Sequence, residues 1–189
     1  MKNSKNAGFS IIEVLVVAAF TSITLAIAIP SMTSFVYRQR LNTANREIYN
    51  AIRSTQTEAA RRKETWQISF RQSNGYVEWA KHHDSVPLDQ VGWNEIDPDI
   101  QIDNSNTINW ANTNRRTDPT LGTTVWFLRF DHNGHFVDTG NRLQSPTVTP
   151  PRITLQLSNR VDSSDFARRC TVIETVIGAM RVEKDENCR

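Results

Sequence analysis

The sequence predicts an α+β protein, in which one long N-terminal helix, transmembrane in its first half, packs on an antiparallel β-rich head. Three features predict it: an apolar stretch over residues 9–29, an amphipathic pattern over 30–63, and short alternating runs over 64–189. The 189 residues, 38% of them hydrophobic, suffice to bury one sizeable core. One head with an N-terminal appendage is therefore expected.

The formal net charge of +2 resides at the start of the chain. Lys2 and Lys5 supply it, because the 20 basic residues after position 8 are matched by 20 acidic ones. The body is therefore near neutral and has no global basic field of the kind that attracts nucleic acid.

The apolar stretch over residues 9–29 holds 21 positions and a single ionisable side chain, Glu13. As a helix it would span about 31 Å, which is one bilayer crossing. A cleaved secretory signal is the alternative, since Lys2 and Lys5 give a basic start and Ala26-Ile27-Ala28 offers small residues to a signal peptidase. The stretch is long for such a signal, however, and contains an acid.

Glu13 requires a partner if the segment lies in a membrane. A carboxylate in the hydrocarbon layer costs about 3 kcal/mol, and an acid there is by default a functional site. No basic residue lies in the segment, and the nearest are Lys5 before it and Arg38 beyond it. The partner must come from outside the segment or from a new chain terminus.

The run Gly8-Phe9-Ser10-Ile11-Ile12-Glu13 resembles the processing motif of type IV prepilins and of the pseudopilins of type II secretion. The resemblance implies that residues 1–8 are a leader, cut after Gly8 by a prepilin peptidase that also N-methylates Phe9. It further implies that Glu13, the fifth residue of the mature chain, pairs with the N-terminal ammonium of a neighbouring subunit during assembly. Such an ammonium would offset the cost of placing the acid in an apolar filament core.

Pro30 would be the twenty-second mature residue, where many pilins carry a proline that kinks the helix. It also lies where the apolar stretch ends. A proline that terminates a membrane helix is therefore an equally good interpretation.

Residues 30–63 predict an amphipathic helix that continues into the head. The residues that form its apolar face follow one another at steps of three and four: Leu41, Ala44, Ile48, Ile52, Thr55 and Ala59. Basic side chains on the other faces are typical of a solvated helix surface, and a dedicated binding surface is the alternative.

Beyond Glu64 the pattern becomes β-like. Residues 65–70 and 76–79 predict a hairpin with an Asn74-Gly75 turn. Further strands are predicted at residues 100–102, 107–110, 124–130, 135–137, 153–157 and 171–177. Residues 81–120 predict a long loop region with a few short strands, anchored by Trp93 and Trp110, and residues 139–151 predict another irregular stretch.

The head resembles that of the GspH/FimT branch of the pilin family, over the runs from Val125 to Gly134 and from Cys170 to Val182. The resemblance implies a type IV pilin-like fold and a minor pilin or pseudopilin. Such a subunit assembles into or primes a type IV pilus or a type II secretion pseudopilus, together with other major and minor subunits. It also implies a bacterial inner-membrane protein with a periplasmic head.

Two other functions remain open. Some FimT-type proteins bind DNA through a Gly-Arg-x-Arg turn, and Gly178-Ala179-Met180-Arg181 keeps the glycine and the last arginine but lacks the first. Under the alternative of a pilus-tip subunit for DNA uptake, Arg181 and Lys184 are the candidate contacts. A singly anchored periplasmic protein unrelated to filaments is the second alternative.

Cys170 and Cys188 are the only cysteines, with seventeen residues between them. In an oxidising compartment they predict one disulfide that closes a C-terminal loop and contributes about 3 kcal/mol. Two unpaired thiols in a cytosolic protein are the alternative.

The sequence offers little catalytic or metal-binding chemistry. His82-His83-Asp84 and the stretch from Asp131 to His135 are the only clusters that suggest a metal. In the second cluster, alternation along a strand would put neighbouring side chains on opposite faces, which argues against a shared metal ion. Asn133-Gly134 within it fits a simple hairpin turn. Without a nucleophile elbow, a phosphate-binding glycine loop or a Cys-x-x-Cys motif, we expect no enzymatic activity, metal or cofactor.

Overall fold

The computed structural model describes residues 10–107, 115–117, 122–137, 150–158 and 167–188, without the side chains of residues 28–31 and 115–117. Gly8, Phe9, Trp110 and most of the predicted loop 139–151 lie outside the described residues, as does the predicted strand beyond Thr107. The chain divides into two compact units, Met1–Arg38 and Gln39–Arg189.

One helix, α1, covers Ile11–Arg62. It begins where the backbone N–H groups of Glu13 and Val14 donate to the carbonyl of Ser10, at 3.0 and 3.3 Å. It ends at Lys63, whose left-handed φ of 59° lets the N–H of Glu64 reach the carbonyl of Ala59 at 3.3 Å. The single long helix predicted from the sequence is thus confirmed.

Position 30 lies inside this helix. Backbone helix is continuous on both sides of Pro30, so the interpretation that the proline ends a helix is wrong. A proline in a helix interior removes one hydrogen bond and favours a bend. The predicted kink at Pro30 stays a prediction.

In the part of the chain that the structure describes, nine strands follow α1. They are β1 Trp66–Ser73, β2 Tyr76–His83, β3 Asn94–Glu95, β4 Ile100–Ile102, β5 Arg115–Thr117, β6 Thr124–Phe130, β7 Arg152–Leu157, β8 Arg168–Ile173 and β9 Met180–Lys184. All pairings are antiparallel, and a short 3-10 turn, Asp185–Cys188, follows the last strand. The α+β prediction is confirmed at this level.

The strands form two sheets. The first has the order β3-β2-β1-β6-β5 and the second the order β4-β7-β8-β9. In the first, β1 and β2 make the predicted hairpin, and Asn74 and Gly75 take φ values of 52° and 85°. Two successive positive φ values are the requirement of the tight hairpin turn that Asn-Gly favours. Both strands are longer than the sequence indicated.

Two strand predictions were wrong in extent. The predicted strand 171–177 ends at Ile173, because a turn follows in which the N–H of Gly178 donates to the carbonyl of Thr175 at 2.9 Å. The predicted strand 135–137 is reduced to a single bridge between Phe136 and Phe130.

The Asp131 side chain explains the second difference. It accepts the N–H groups of Asn133 at 2.8 Å and His135 at 2.9 Å, which holds the chain in a turn that competes with strand pairing. The short strands β3 and β5 lie in the region 81–120, for which a few short strands were predicted, but their positions were not, because they carry no alternating pattern in the sequence.

The core lies between the second half of α1 and one face of each sheet. All six residues of the predicted apolar helix face are at most 3% exposed: Leu41, Ala44, Ile48, Ile52, Thr55 and Ala59. Opposite them lie Ile68, Phe70, Leu128 and Phe130 of the first sheet and Ile153 and Leu155 of the second. Burial of this face orients the helix in the head.

Polar contacts join the helix to both sheets. From the first sheet, Trp79 Nε1 donates to Glu47 Oε1 at 2.9 Å, and Lys81 Nζ donates to Ser54 Oγ at 2.9 Å. From the second sheet, Arg169 Nε donates to Asn42 Oδ1 at 2.6 Å. Trp79 and Lys81 of β2 and Arg169 of β8 therefore lie on the faces of the two sheets that point toward α1.

Candidate functional site

The first half of α1 has a surface of exposed apolar side chains from Ile11 to Ile27. Ile11 is 82% exposed, Phe20 68% and Ile27 74%. The others are Ile12, Val14, Leu15, Val16, Val17, Ile23 and Leu25. This helix is long and apolar enough to cross a membrane, and its most apolar window is not buried in the protein.

Three hydroxyl groups lie within this apolar surface, and each donates a hydrogen bond to a backbone carbonyl of the same helix. Thr21 donates to the carbonyl of Val17 at 2.6 Å, Ser22 to that of Ala19 at 2.9 Å, and Thr24 to that of Phe20 at 2.8 Å. A hydroxyl bonded in this way exposes no free donor to lipid. These three hydroxyl groups are thus compatible with an apolar surrounding.

Glu13 lies in the first turn of α1 and is exposed. Val14, Val17 and Ala18 form the surface around it. Among the described residues, no basic side chain lies within ion-pair distance of its carboxylate. Within the described residues, the positive end of the helix dipole is what compensates the Glu13 carboxylate. The structure thus brings no described cation to Glu13, and the leader residues Gly8 and Phe9 lie outside the described part.

Arg181 and Lys184 lie on β9, the edge strand of the second sheet, but they do not form one patch. The register of β8 and β9 pairs Arg181 with Val172 and Lys184 with Arg169. Arg181 and Lys184 are three residues apart and therefore lie on opposite faces of the sheet. Arg181 is engaged by two carboxylates, Glu174 at 2.9 Å and Glu183 at 3.2 Å. Both ion pairs would have to open before the Arg181 guanidinium could make a bidentate phosphate contact.

Gly178 has a structural role within the same turn. Its φ is +77°, and a Cβ built there would collide with Gln56 Nε2. That amide donates to the carbonyls of both Gly134 and Ile177, each at 2.9 Å. A single helix side chain thus joins one turn of each sheet. Sequence reasoning missed Gln56, because nothing in its position marks a long-range bond.

The disulfide joins Cys170 of β8 to Cys188 of the final turn, with Cα atoms 5.6 Å apart. Both residues are fully buried and pack with Val172 on the sheet face that points away from α1. The predicted bridge is confirmed, and it fixes the chain end beyond β9 against β8.

The histidine clusters are not arranged for metal binding. Within the described residues, no group of three or more His, Cys, Asp or Glu side chains is placed to hold a metal ion. His82 and His83 point to opposite faces of β2. His83 contacts the edge of the Trp66 ring, and His135 lies 3.8 Å from Asp131 in its turn.

His82 belongs to a buried hydrogen-bond chain. Its Nδ1 donates to the carbonyl of His83 at 2.9 Å, so Nε2 accepts the hydroxyl of Ser69 at 3.0 Å. Ser69 in turn accepts the amide of Gln67 at 2.9 Å. Burial lowers the pKa of His82 below its ordinary value of 6.5, which favours the neutral ring that this chain of bonds requires.

Comparison of the chain with protein-family models, with curated proteins and with solved structures finds no match. The pilin resemblance therefore stays a prediction from the residues of the chain itself.

Proposed function

We propose that this chain is a minor pilin or pseudopilin, a filament subunit that assembles into or primes a type IV pilus or a type II secretion pseudopilus. A prepilin peptidase cuts it after Gly8 and methylates Phe9. The apolar half of α1 lies first in the bacterial inner membrane and then in the filament core, and the head lies in the periplasm.

One observation carries the proposal, namely the position of Glu13. It is the single carboxylate of an apolar helical surface, it lies in the first helical turn, and none of the described cations reaches it. An ammonium created at Phe9 of a neighbouring copy has the charge that this carboxylate requires. The sequence Gly8-Phe9 supplies the place where such a terminus would be made.

A Glu13→Val substitution tests the role of the carboxylate. We expect normal membrane insertion, because the change makes the segment more apolar. We also expect at least about a tenfold loss of subunit from purified filaments, which corresponds to about 1.4 kcal/mol of lost pairing. The measurement is the fraction of subunit in filaments relative to that in membranes.

Two variants serve as controls for this experiment. Glu64→Val removes an exposed carboxylate from the head and should leave incorporation unchanged. Glu13→Val combined with Val17→Glu moves the carboxylate by about one helical turn and should not restore incorporation. Normal incorporation of Glu13→Val alone would contradict the proposal.

DNA capture is less well supported as a function of this head. Its two candidate contacts lie on opposite faces of β9, and Arg181 is already paired with acids. A DNA-binding head would show an affinity that falls steeply as salt rises and that weakens when Arg181 and Lys184 are neutralised.

A further inference from the structure

A groove runs between the second half of α1 and the edge strand β9. Its volume is about 390 Å³, and it lies wholly within the head. Asn42, Asn45 and Arg46 line it from the helix, and Val182 and Lys184 line it from the strand. The filament role proposed for the N-terminal segment makes no use of this groove.

Among the described residues, the groove carries more positive than negative charge. Arg46 and Lys184 are exposed, and neither forms an ion pair with any described residue. The third cation, Arg169, is paired with Asp185 at 3.0 Å. Glu183 is bonded to Arg181 and to Asn187 at 2.9 Å, so it does not compensate Lys184. Two cations without an ion pair to any described residue, Arg46 and Lys184, therefore face the groove.

The floor of the groove also holds an unused hydrogen-bond donor. Asn45 is 1% exposed, and its Oδ1 accepts the hydroxyl of Thr171. Its Nδ2 has no hydrogen-bond partner among the described residues. A buried polar group without a partner costs about 1–3 kcal/mol, and a local opening of the groove that lets a ligand oxygen reach this amide would recover part of that cost.

The strand side of the groove offers a hydrogen-bonding edge. β9 is the last strand of its sheet, so one side of its backbone has no neighbouring strand among the described residues. Val182, which is 49% exposed, faces the helix side together with Lys184 two residues later. An added strand would place an apolar side chain opposite Val182 and an acidic one opposite Lys184.

We propose that this groove binds an acidic, extended segment of a partner protein, which adds to β9 as a fifth strand of the second sheet. Its carboxylate lies between Arg46 and Lys184, and its backbone pairs with β9. In the favoured segment, every second side chain points toward α1, and these side chains are apolar or acidic. The others point to the opposite face of the sheet. Nucleic acid is a poorer occupant, because the described part of the groove has only these two cations without an ion pair and offers Val182 as an apolar contact.

The probe is the heptapeptide Thr-Val-Thr-Glu-Thr-Val-Thr. A matched peptide has lysine in place of glutamate. We expect the full-length protein in detergent to bind the glutamate peptide at low salt and the lysine peptide at least about tenfold more weakly, because Arg46 and Lys184 repel lysine. Hydrogen exchange of the amides in Met180–Lys184 should slow when the glutamate peptide is bound.

Lys184→Glu tests the site itself. Lys184 is exposed and unpaired, so the variant should fold normally, and the glutamate peptide should bind at least about tenfold more weakly. The same variant should gain affinity for the lysine peptide. Lys63→Glu is the control, since it makes the same charge change on an exposed lysine outside the groove.

Three results would overturn the proposal. The first is equal binding of both peptides, and the second is peptide binding without protection of β9. The third is a loss in Lys184→Glu of binding to double-stranded DNA or of self-association, with no change in peptide binding. None of these results bears on Glu13, so this proposal and the filament proposal fail independently.

Discussion

At the scale of single residues, the turn at Gly178 gives the sharpest test of the head. An alanine there would take a left-handed φ and would also collide with Gln56. We expect Gly178→Ala to lower the free energy of unfolding by about 2–3 kcal/mol, measured by chemical denaturation. In a Gln56→Ala background, which already lacks the two hydrogen bonds of that amide, Gly178→Ala should cost only the part due to backbone strain.

Two other glycines separate the causes. Gly122 has a φ of +62° with open space around it, so Gly122→Ala reports the backbone strain alone. Gly92 has neither feature, and Gly92→Ala should leave stability unchanged. If Gly178→Ala were no worse than Gly122→Ala, the proposed contact with Gln56 would have no energetic weight.

His82 predicts a pH dependence of stability. Its pKa in the folded protein lies below 6.5 because the ring is buried, so the unfolded chain takes up the proton first as pH falls. Stability is therefore complete above pH 6.5, declines below it, and levels off below the folded pKa. We expect His82→Gln to reduce this decline in denaturation curves between pH 7 and pH 5, which are about the limits of histidine titration.

The exposed His132 provides the matched comparison. His132→Gln removes an exposed histidine outside the buried hydrogen-bond chain and controls for the loss of an imidazole ring. Equal slopes for the parent and for His82→Gln would show that His82 does not cause the decline.

At the scale of elements, the second half of α1 is predicted to hold the head together. Ile48 is fully buried at the centre of its apolar face. Ile48→Ala should lower the free energy of unfolding by about 2–4 kcal/mol, because it leaves a cavity between helix and sheets. Asn50→Ala, at an exposed position of the same helix, should change it by less than about 0.5 kcal/mol.

Elements with a strong periodic pattern were predictable from the sequence, and those fixed by single side chains were not. The face from Leu41 to Ala59 and the Asn74-Gly75 hairpin follow from helix period and turn chemistry. Phe136 and Val137 have a β-like composition, but the Asp131 side chain holds the preceding residues in a turn. β3 has only two residues, too few for any alternation to be visible.

The candidate sites show the same division. Glu13 and the two cysteines stand out because each is chemically unlike its surroundings in the sequence. The groove beside β9 does not stand out, because Arg46 and Lys184 are far apart in the chain and ordinary in composition. Only the register of β8 and β9 and the packing of α1 bring them to one place.

At the scale of the whole molecule, the apolar half of α1 and the β-rich head differ in the chemistry of their surfaces. The first half of α1 exposes apolar side chains and one carboxylate, while the head has its own core and its own disulfide. A filament subunit requires such a division, since the helix must change from a lipid to a protein surrounding while the head stays folded. The proposed filament role therefore depends on how the N-terminus is processed.

The chemical state of the mature N-terminus tests that role most directly. The full-length chain is expressed with and without a prepilin peptidase, and its intact mass and N-terminal peptide are determined by mass spectrometry. The account predicts a chain that begins at N-methylated Phe9 only when the peptidase is present. A chain that stays uncut with the peptidase, or one cut near Ala28, would contradict it.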